Sequence, residues 1–267
     1  LNYKMADNIL EKIIKKKIVY IEQLKKTIDL SNLKDLISMN NSYLDFKEKI
    51  STNINENKIS IIAEIKKASP SAGVIINDYN PVEIANIYYK NNSTCLSVLT
   101  EEDFFLGKID HIRQIKEKIK LPILCKDFFI DKFQIPLAKS YGADAILIIL
   151  AGVKENLADE LYNEALKHEM SIIVEVHTVE EAKKALKFKE ALIGINNRNL
   201  KTLETNITTT YDIHNVLINH KGPLISESGI KNKEELLDLK RKTSIKTFLI
   251  GESLLKNLDN NSIFSVL

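Results

Sequence analysis

The sequence predicts an α/β fold, a closed (β/α)8 TIM barrel with an N-terminal helical extension. Three observations support this prediction: eight short apolar runs recur along the 267-residue chain, amphipathic stretches separate them, and no linker interrupts the alternation. Strands joined through a helix run parallel, because each return needs a crossover, and that crossover is right-handed. Eight such strands close into a barrel.

The predicted strands are short runs of β-branched and apolar residues. Two of them begin at a proline, which is tolerated at the first residue of a strand. The eight runs are Ile61–Ile65, Cys95–Leu99, Pro122–Cys125, Ala145–Leu150, Ile172–Val176, Ala191–Ile195, Pro223–Ser226 and Thr247–Ile250.

The predicted crossover helices carry apolar residues at three- and four-residue spacing, with charged faces between them. The clearest are Pro81–Lys90, Lys154–His168, Val179–Phe188 and Lys231–Arg241. A doubly wound open sheet is the structural alternative. No Gly-x-Gly-x-x-Gly follows the first strand, so the dinucleotide-binding version of that fold has no support.

Residues 1–55 precede the first predicted strand and show helical patterns around Asn8–Lys26 and Leu33–Ile37. We expect one barrel domain over residues 1–267, with residues 1–55 as a helical extension packed over the barrel. The basic run Lys15–Lys17 is interpreted as a solvated helix face. The chain begins at Leu1, and Met5 is a candidate for the natural start.

Composition and rare residue types exclude several functions. Because 36 acidic residues offset the 38 basic ones, we expect no nucleic-acid partner. No apolar run has the length of a membrane span or of a secretion signal, so we expect a cytoplasmic protein without a membrane partner. Cys95 and Cys125 lie in apolar runs, as buried thiols do in a reducing compartment. The five histidines show no zinc-ligand spacing, and we expect neither a metal nor a cofactor.

Charged side chains inside apolar strands are costly to bury without a partner or a task, and here they lie at strand ends. Glu64 and Lys66 are two residues apart on strand one and therefore share a face. Other strands end in, or lead into, Lys126, Glu175, Asn196, Arg198 and Glu227. Because the carboxyl ends of barrel strands meet at one face, we expect these groups to line a common polar pocket.

Two amines and one arginine facing several carboxylates favour an anionic substrate and acid–base chemistry. Arg198 is one of only three arginines, and its planar guanidinium suits a clamp on a carboxylate or phosphate, with chance placement as the alternative. Gly229 and Gly251 follow strands seven and eight, which commonly present backbone N–H groups to a phosphate in this architecture. Ordinary turns are the alternative for both glycines.

The strand ends also carry recognisable sequence blocks. IAEIKKASPSAG at Ile62–Gly73, LCKDFFID at Leu124–Asp131 and IGINNRNL at Ile193–Leu200 resemble blocks of the indole-3-glycerol phosphate synthase family. The similarity runs from about Asn8 to Leu255, and the two turns of strands seven and eight are its least specific parts. The other similar blocks are SVLTEEDFFLG at Ser97–Gly107, IVEVH at Ile173–His177, ISESGI at Ile225–Ile230 and LIGESLL at Leu249–Leu255.

The resemblance implies a carboxy-lyase of tryptophan biosynthesis. Enzymes of this family convert 1-(2-carboxyphenylamino)-1-deoxyribulose 5-phosphate into indole-3-glycerol phosphate, with loss of CO2 and water. By resemblance, Lys126 is the general acid, Glu175 is the base that assists dehydration, and Lys66 contacts the substrate carboxylate. Supporting polar roles fall to Glu64, which orients the lysines, and to Asn196 and Glu227.

The resemblance also implies a set of substrate- and phosphate-binding positions. They are Ser69, Phe128, Arg198, Leu200, Ser228, Gly229, Gly251, Glu252 and Ser253. Phe128 matches the aromatic residue that packs on the anthranilate ring. Two positions depart from the family pattern: Ala72, where a lysine is common, and Cys125, which by strand alternation points away from Lys126. His177 shares a face with Glu175, but the family requires no histidine there.

Two rival functions remain at this stage. A phosphoribosyl isomerase barrel shares the phosphate turns but is expected to use a different acid–base pair, often with a cysteine or aspartate on an early strand. A degenerate barrel that binds a metabolite without turnover is disfavoured by the intact Lys66, Lys126, Glu175 and Asn196. The expected partner is a small phosphorylated substrate. We expect a monomer, with possible association with other tryptophan-pathway enzymes.

Overall fold

Eight parallel strands form a closed barrel in a computed structural model that describes residues 9–40, 42–258 and 261–267. Each strand pairs with the next along the chain, and the last pairs with the first. The predicted barrel is therefore confirmed, and closure rules out the open sheet. The strands, β1 to β8, span Ser60–Ile65, Cys95–Leu99, Ile123–Lys126, Ala145–Ile149, Ser171–Val176, Leu192–Asn196, Leu224–Glu227 and Thr247–Ile250.

Helices occupy the connections between the strands and surround the barrel. Helices α4 to α10 lie in the connections, and α11 follows β8. In order they span Pro81–Lys90, Asp110–Lys116, Gln134–Ser140, Glu155–Lys167, Val179–Ala185, Thr208–His214, Lys233–Thr243 and Glu252–Leu255. After β1 the chain also forms a short antiparallel pair, Ala68–Ser69 with Gly73–Val74.

Side chains of each strand alternate between two cores, as the period of two in a strand requires. Outward-facing residues such as Ile61 and Val98 pack against the surrounding helices. Inward-facing residues such as Ile62 and Leu124 fill the lower barrel, and polar residues replace them toward the carboxyl ends of the strands. Cys125 belongs to the outer core, opposite in direction to Lys126.

The N-terminal extension covers both ends of the barrel. Its helices α1, α2 and α3 span Ile9–Thr27, Leu30–Met39 and Phe46–Asn55. Phe46 and Ile50 of α3 are fully buried in the inner core at the amino ends of the strands. Leu10 and Ile13 of α1 are buried at the opposite end, where they border a cavity. The candidate start Met5 and the predicted first helical residue Asn8 lie outside the described residues.

None of the described helices combines the length and the apolar composition that crossing a lipid bilayer requires.

Candidate active site

A cavity of about 890 Å³ opens at the carboxyl ends of the barrel strands. Its floor is apolar, with Leu147 and Leu249 from the inner core. Most of the predicted site residues border the cavity. Glu227 is not among the lining residues, but it contacts Lys126. The bordering set is Glu64, Lys66, Ser69, Lys126, Phe128, Glu175, Asn196, Arg198, Leu200, Ser228, Gly229, Gly251, Glu252 and Ser253.

Lys126 forms the centre of a buried ionic cluster. Its Nζ donates to Oε2 of Glu175 on β5 at 3.1 Å and to Oε2 of Glu227 on β7 at 2.8 Å. The glutamate side chains are only 2% and 1% exposed, so water screens these attractions weakly. Gly194 on β6, between the two glutamate strands, leaves the necessary space, because a Cβ there would lie 1.9 Å from Oε1 of Glu227.

The surroundings shift the pKa values of the three groups of this cluster in different directions. Burial by itself would lower the pKa of Lys126, but Glu227, Glu175 and Glu64 raise it well above its usual range. Burial would raise the pKa of Glu175, but Lys126 and His177 lower it below the ordinary glutamate value. Burial raises the pKa of Glu227, Lys126 opposes the rise, and Glu175 adds to it. The cluster therefore favours an ammonium on Lys126 and a carboxylate on Glu175, and of the two glutamates Glu227 is the one favoured to carry a proton.

Glu64 and Lys66 form a second ion pair at the end of β1. Burial would raise the pKa of Glu64, but Lys66 and Lys126 lower it, so Glu64 is a carboxylate. Gly251 makes room for this pair, since a Cβ there would lie 2.4 Å from Oε1 of Glu64 and 2.9 Å from Nζ of Lys66. Gly251, predicted to bind the phosphate, is therefore also needed to leave space for this ion pair.

The turn after β7 is shaped by two consecutive residues in the left-handed region, Ser228 with φ 65° and Gly229 with φ 82°. Asn197 fixes this turn, because its side chain donates to the carbonyl of Ser228 at 3.0 Å and accepts from the backbone N–H of Thr210 at 3.0 Å. A Cβ at Gly229 would lie 2.5 Å from Cγ2 of Thr205. The turn and the start of α11 both border the cavity, and turns and helix starts of this kind commonly bind anions through backbone N–H groups.

Arg198 connects the loop after β6 to helix α11 at the rim of the cavity. Its Nη1 donates to the carbonyl of Leu203 at 3.0 Å, and its Nη2 lies 3.6 Å from Oε2 of Glu252. The clamp on a ligand anion stays a prediction, and the guanidinium also holds the loop after β6 to α11. Asn196 supports the same loop, since its Oδ1 accepts from the backbone N–H of Arg198 at 3.0 Å.

The two predicted serine hydroxyls stabilise loops around the cavity. Ser253 Oγ donates to the carbonyl of Ile230 at 2.7 Å. Ser69 Oγ accepts from the backbone N–H of Ala72 at 3.2 Å. Both serines therefore stabilise the loops at the rim of the cavity through contacts within the protein.

One side of the cavity is apolar and aromatic. Phe128 lies 6.3 Å from Phe105, measured between ring centroids, and Phe128 and Leu200 both pack against the inner core. Leu10 and Ile13 of α1 border the same cavity. Sequence reasoning did not select Phe105 or the two α1 residues, although the FF pair in SVLTEEDFFLG was a usable signal for Phe105.

A buried ion pair connects α1 to the residue after Lys126. Lys17 Nζ lies 2.7 Å from Oδ1 of Asp127, and the two side chains are 4% and 11% exposed. Asp127 also accepts from Oγ1 of Thr100 at 2.6 Å and from the backbone N–H of Phe128 at 2.7 Å. The interpretation of Lys15–Lys17 as a solvated face is therefore wrong for Lys17, because docking of α1 buries the last lysine of this run.

His177 contacts Glu175 from the side opposite Lys126. Its Nε2 lies 3.2 Å from Oε1 of Glu175, and its Nδ1 lies 3.4 Å from Oε2 of Glu181. The backbone N–H of His177 donates to the same Glu181 oxygen at 2.7 Å. Burial would lower the pKa of this histidine, but Glu175 and Glu181 raise it to about 9.

Within the described ranges, no group of three or more His, Cys, Asp and Glu side chains could hold a metal ion. Cys95 and Cys125 are buried free thiols.

A family model and similar sequences identify one family. The model of the family described as indole-3-glycerol phosphate synthase matches residues 10–266. An indole-3-glycerol phosphate synthase of Clostridium acetobutylicum is 42% identical over 253 residues, covering 94% of this chain and 94% of that protein. A tryptophan biosynthesis protein, TrpCF, of Buchnera aphidicola subsp. Schizaphis graminum is 40% identical over 261 residues, covering 96% of this chain and 55% of that protein.

A solved structure is similar in fold. The tryptophan synthase subunit alpha of Legionella pneumophila superposes with a TM-score of 0.57 at 13% identity, over 79% of this chain and 87% of that one. At this identity the likeness concerns the barrel architecture alone.

Proposed function

Because the chain belongs to the indole-3-glycerol phosphate synthase family, a family of carboxy-lyases, we propose that Lys126 is the general acid of its reaction and Glu175 the base. The reaction converts 1-(2-carboxyphenylamino)-1-deoxyribulose 5-phosphate into indole-3-glycerol phosphate. The observation that carries the proposal is the ammonium of Lys126 between Glu175 and Glu227 at the cavity. No other described lysine contacts two buried carboxylates at this face.

The chemistry needs two proton donations and one removal. Ring closure joins the aromatic carbon that bears the carboxylate to the substrate carbonyl carbon, and the carbonyl oxygen takes a proton from Lys126. Departure of CO2 leaves its bonding electrons in the ring and restores aromaticity. Loss of water then needs a second proton on the new hydroxyl and removal of one proton from the adjacent carbon by Glu175.

Lys126 must regain a proton between the two donations. Glu227 is suited to return it, because its Oε2 lies 2.8 Å from Nζ of Lys126 and burial favours the protonated form of this carboxyl. A pair of carboxyls with opposite protonation is a common way to divide acid and base roles.

The remaining predicted residues bind and orient the substrate. Lys66, held by Glu64, is placed to pair with the substrate carboxylate. Phe128 offers an apolar surface for the anthranilate ring, and the turns at Gly229 and Gly251 offer backbone amides for the phosphate. Asn196, at the end of β6, is placed for a substrate hydroxyl. Serine, leucine, arginine and glutamate side chains at the rim complete the binding set, namely Ser69, Arg198, Leu200, Ser228, Glu252 and Ser253.

We also propose that the protein acts in the cytoplasm as a monomer built as one barrel domain with its extension. A longer tryptophan biosynthesis protein contains a region similar to this chain, which favours association with other enzymes of that pathway.

Product fluorescence tests the proposed function directly. Purified protein is mixed with 1-(2-carboxyphenylamino)-1-deoxyribulose 5-phosphate, and formation of the indole is followed over time. We expect turnover by the unchanged chain and a large loss in Lys126→Met. Binding without turnover would instead support the degenerate-barrel alternative.

A further inference from the structure

Two glutamates flank Lys126 in nearly the same way but differ on their far sides. Their Oε2 atoms accept from Lys126 at 3.1 and 2.8 Å, and both side chains are almost fully buried. The second oxygen of Glu175 lies 3.2 Å from His177. The second oxygen of Glu227 is buried, and it has no hydrogen-bond partner among the described residues. The two glutamates therefore differ in one neighbour, because only Glu175 contacts His177.

The surroundings of His177 favour its charged form. Both ring nitrogens face carboxylate oxygens, and only an imidazolium presents N–H groups on both sides. The charged groups that act on it are Glu175 on β5 and Glu181 on α8. Lys126 on β3 and Glu227 on β7 face Glu175 from its other side. Nε2 lies 3.2 Å from Oε1 of Glu175, so the charged ring and the carboxylate form an ion pair.

We propose that His177 is a positioning residue that divides the roles of the two glutamates: its cation keeps Glu175 a carboxylate oriented toward Lys126, and thereby leaves the shared proton on Glu227. This inference rests on the proposed role of Glu175 as the base. Without the cation, two similar carboxyls would compete for one proton beside Lys126, and a fraction of the enzyme would hold its base protonated. Glu181 in turn holds the histidine in its charged form.

His177→Gln tests the proposal, since glutamine is polar and uncharged. We expect kcat at neutral pH to fall by about tenfold to a hundredfold, with KM changing much less because Lys66, Phe128 and the phosphate turns remain. The acid limb of the kcat profile should move up by about one pH unit, as expected when a carboxylate loses a neighbouring cation. Unchanged kcat between pH 6 and 9 would overturn the proposal.

Glu181→Gln tests the role of the His177 cation without changing the histidine itself. The amide oxygen of the new glutamine can still accept from the backbone N–H of His177. The pKa of wild-type His177 is raised to about 9, so its cation is present below that pH and is lost above it. In Glu181→Gln the cation should be lost at lower pH, and turnover should therefore decline earlier on the alkaline side. An unaltered alkaline limb would contradict this.

A spectroscopic readout separates this inference from the proposed function. NMR titration of the histidine ring protons should assign His177 a pKa near 9, which falls by about one unit or more in Glu175→Gln. If Glu175→Gln keeps normal turnover, the base assignment fails whatever the titration shows. If Glu175→Gln loses turnover while His177→Gln does not, the base assignment stands and His177 has no positioning role.

The matched control is His168→Gln. His168 also pairs with a glutamate, Glu164 at 3.4 Å, but it follows helix α7 outside the cavity. We expect its kcat and pH profile to equal those of the wild type. Thermal unfolding of all variants confirms that each one is folded at the assay temperature.

Discussion

Each end of the barrel buries a lysine, which pairs with one carboxylate at the amino ends of the strands and with two carboxyl groups at the carboxyl ends. At the amino ends of the strands, Lys116 Nζ lies 2.6 Å from Oδ2 of Asp144, and the side chains are 5% and 0% exposed. Asp144 also accepts from the backbone N–H groups of Leu44 and Ile123, each at 2.7 Å. Lys116 donates in addition to the carbonyl of Ser42 at 3.1 Å.

The cluster at the carboxyl ends is less complete. Lys126 faces two carboxyls with a single ammonium, and Oε1 of Glu227 has no hydrogen-bond partner among the described residues. An ion pair whose polar atoms all have partners links elements of the fold and has no free hydrogen-bonding group for a ligand. A cluster with an unpartnered oxygen keeps a proton and charge available. We propose that the pair at the amino ends serves stability and that the cluster at the carboxyl ends serves the reaction.

The largest expected effect comes from Lys126→Met, which removes the proton and keeps most of the stem. We expect kcat to fall by about a hundredfold to ten-thousandfold, the usual range for a positioned general acid. Substrate affinity should change much less, since Lys66 and the phosphate turns remain. Steady-state kinetics with the fluorescent product provides the measurement.

A stability measurement on the same variant sharpens the comparison. After loss of Lys126, Glu175 still faces His177, and Glu227 is already favoured in its neutral form. The free energy of unfolding should therefore drop less than for a change at Asp144. Near-normal turnover would move the acid role to another residue.

The second prediction concerns the other end of the barrel. Asp144→Asn leaves Lys116 buried without its counter-ion and turns one acceptor into a donor beside backbone N–H groups. Breaking a buried pair on one side typically costs about 3–5 kcal/mol, so chemical denaturation should show a loss of that order. The folded enzyme should keep its kcat, because the pair lies at the end away from the cavity.

An exposed pair gives the matched control for Asp144. Lys16 and Asp103 lie 3.3 Å apart with side chains 57% and 50% exposed. Asp103→Asn should cost at most about 1 kcal/mol of unfolding free energy. If both aspartate variants lost the same stability, burial would not be the reason for the effect at Asp144.

Strand periodicity explains why the barrel and much of the cluster were predictable from the sequence. β-Branched runs define the strands, and the period of two places Glu64 with Lys66 and separates Lys126 from Cys125. The known geometry of parallel barrels then brings the strand ends together. Local patterns were weaker for helices α6 and α9, because α6 contains Pro136 and α9 begins with the poor helix former Thr208.

Contacts made between distant elements were not predictable. Burial of Lys17 depends on how α1 docks beside Asp127. The contact between Arg198 and Glu252 depends on how the loop after β6 packs against α11. The need for Gly194 follows only from the position of Glu227 on the neighbouring strand. Each of these facts lies in the packing of segments far apart in sequence, where periodicity carries no information.

A smaller effect is expected for Lys66→Met, in the ion pair at the end of β1. An amine that pairs with the substrate carboxylate acts in the ground state as well as in the transition state, so both KM and kcat should worsen. Loss of a charge-assisted hydrogen bond corresponds to about tenfold to a hundredfold in kcat/KM. If Lys66→Met lowered kcat more than Lys126→Met, and Lys126→Met impaired only binding, the two lysines would exchange their proposed roles.

The smallest expected effect is that of removing metal ions. Lys126 already pairs with Glu175, Glu227 is favoured in its neutral form, and Lys66 pairs with Glu64, so none of these three carboxyl groups is left free for a divalent ion. Excess chelator should therefore leave kcat/KM unchanged in enzyme dialysed to remove free metal. Activity that vanished with chelator and returned only with a divalent ion would mean that a metal, rather than Lys126, supplies the positive charge. The contrast between the two ends of the barrel would then be one between an ion pair and a metal site.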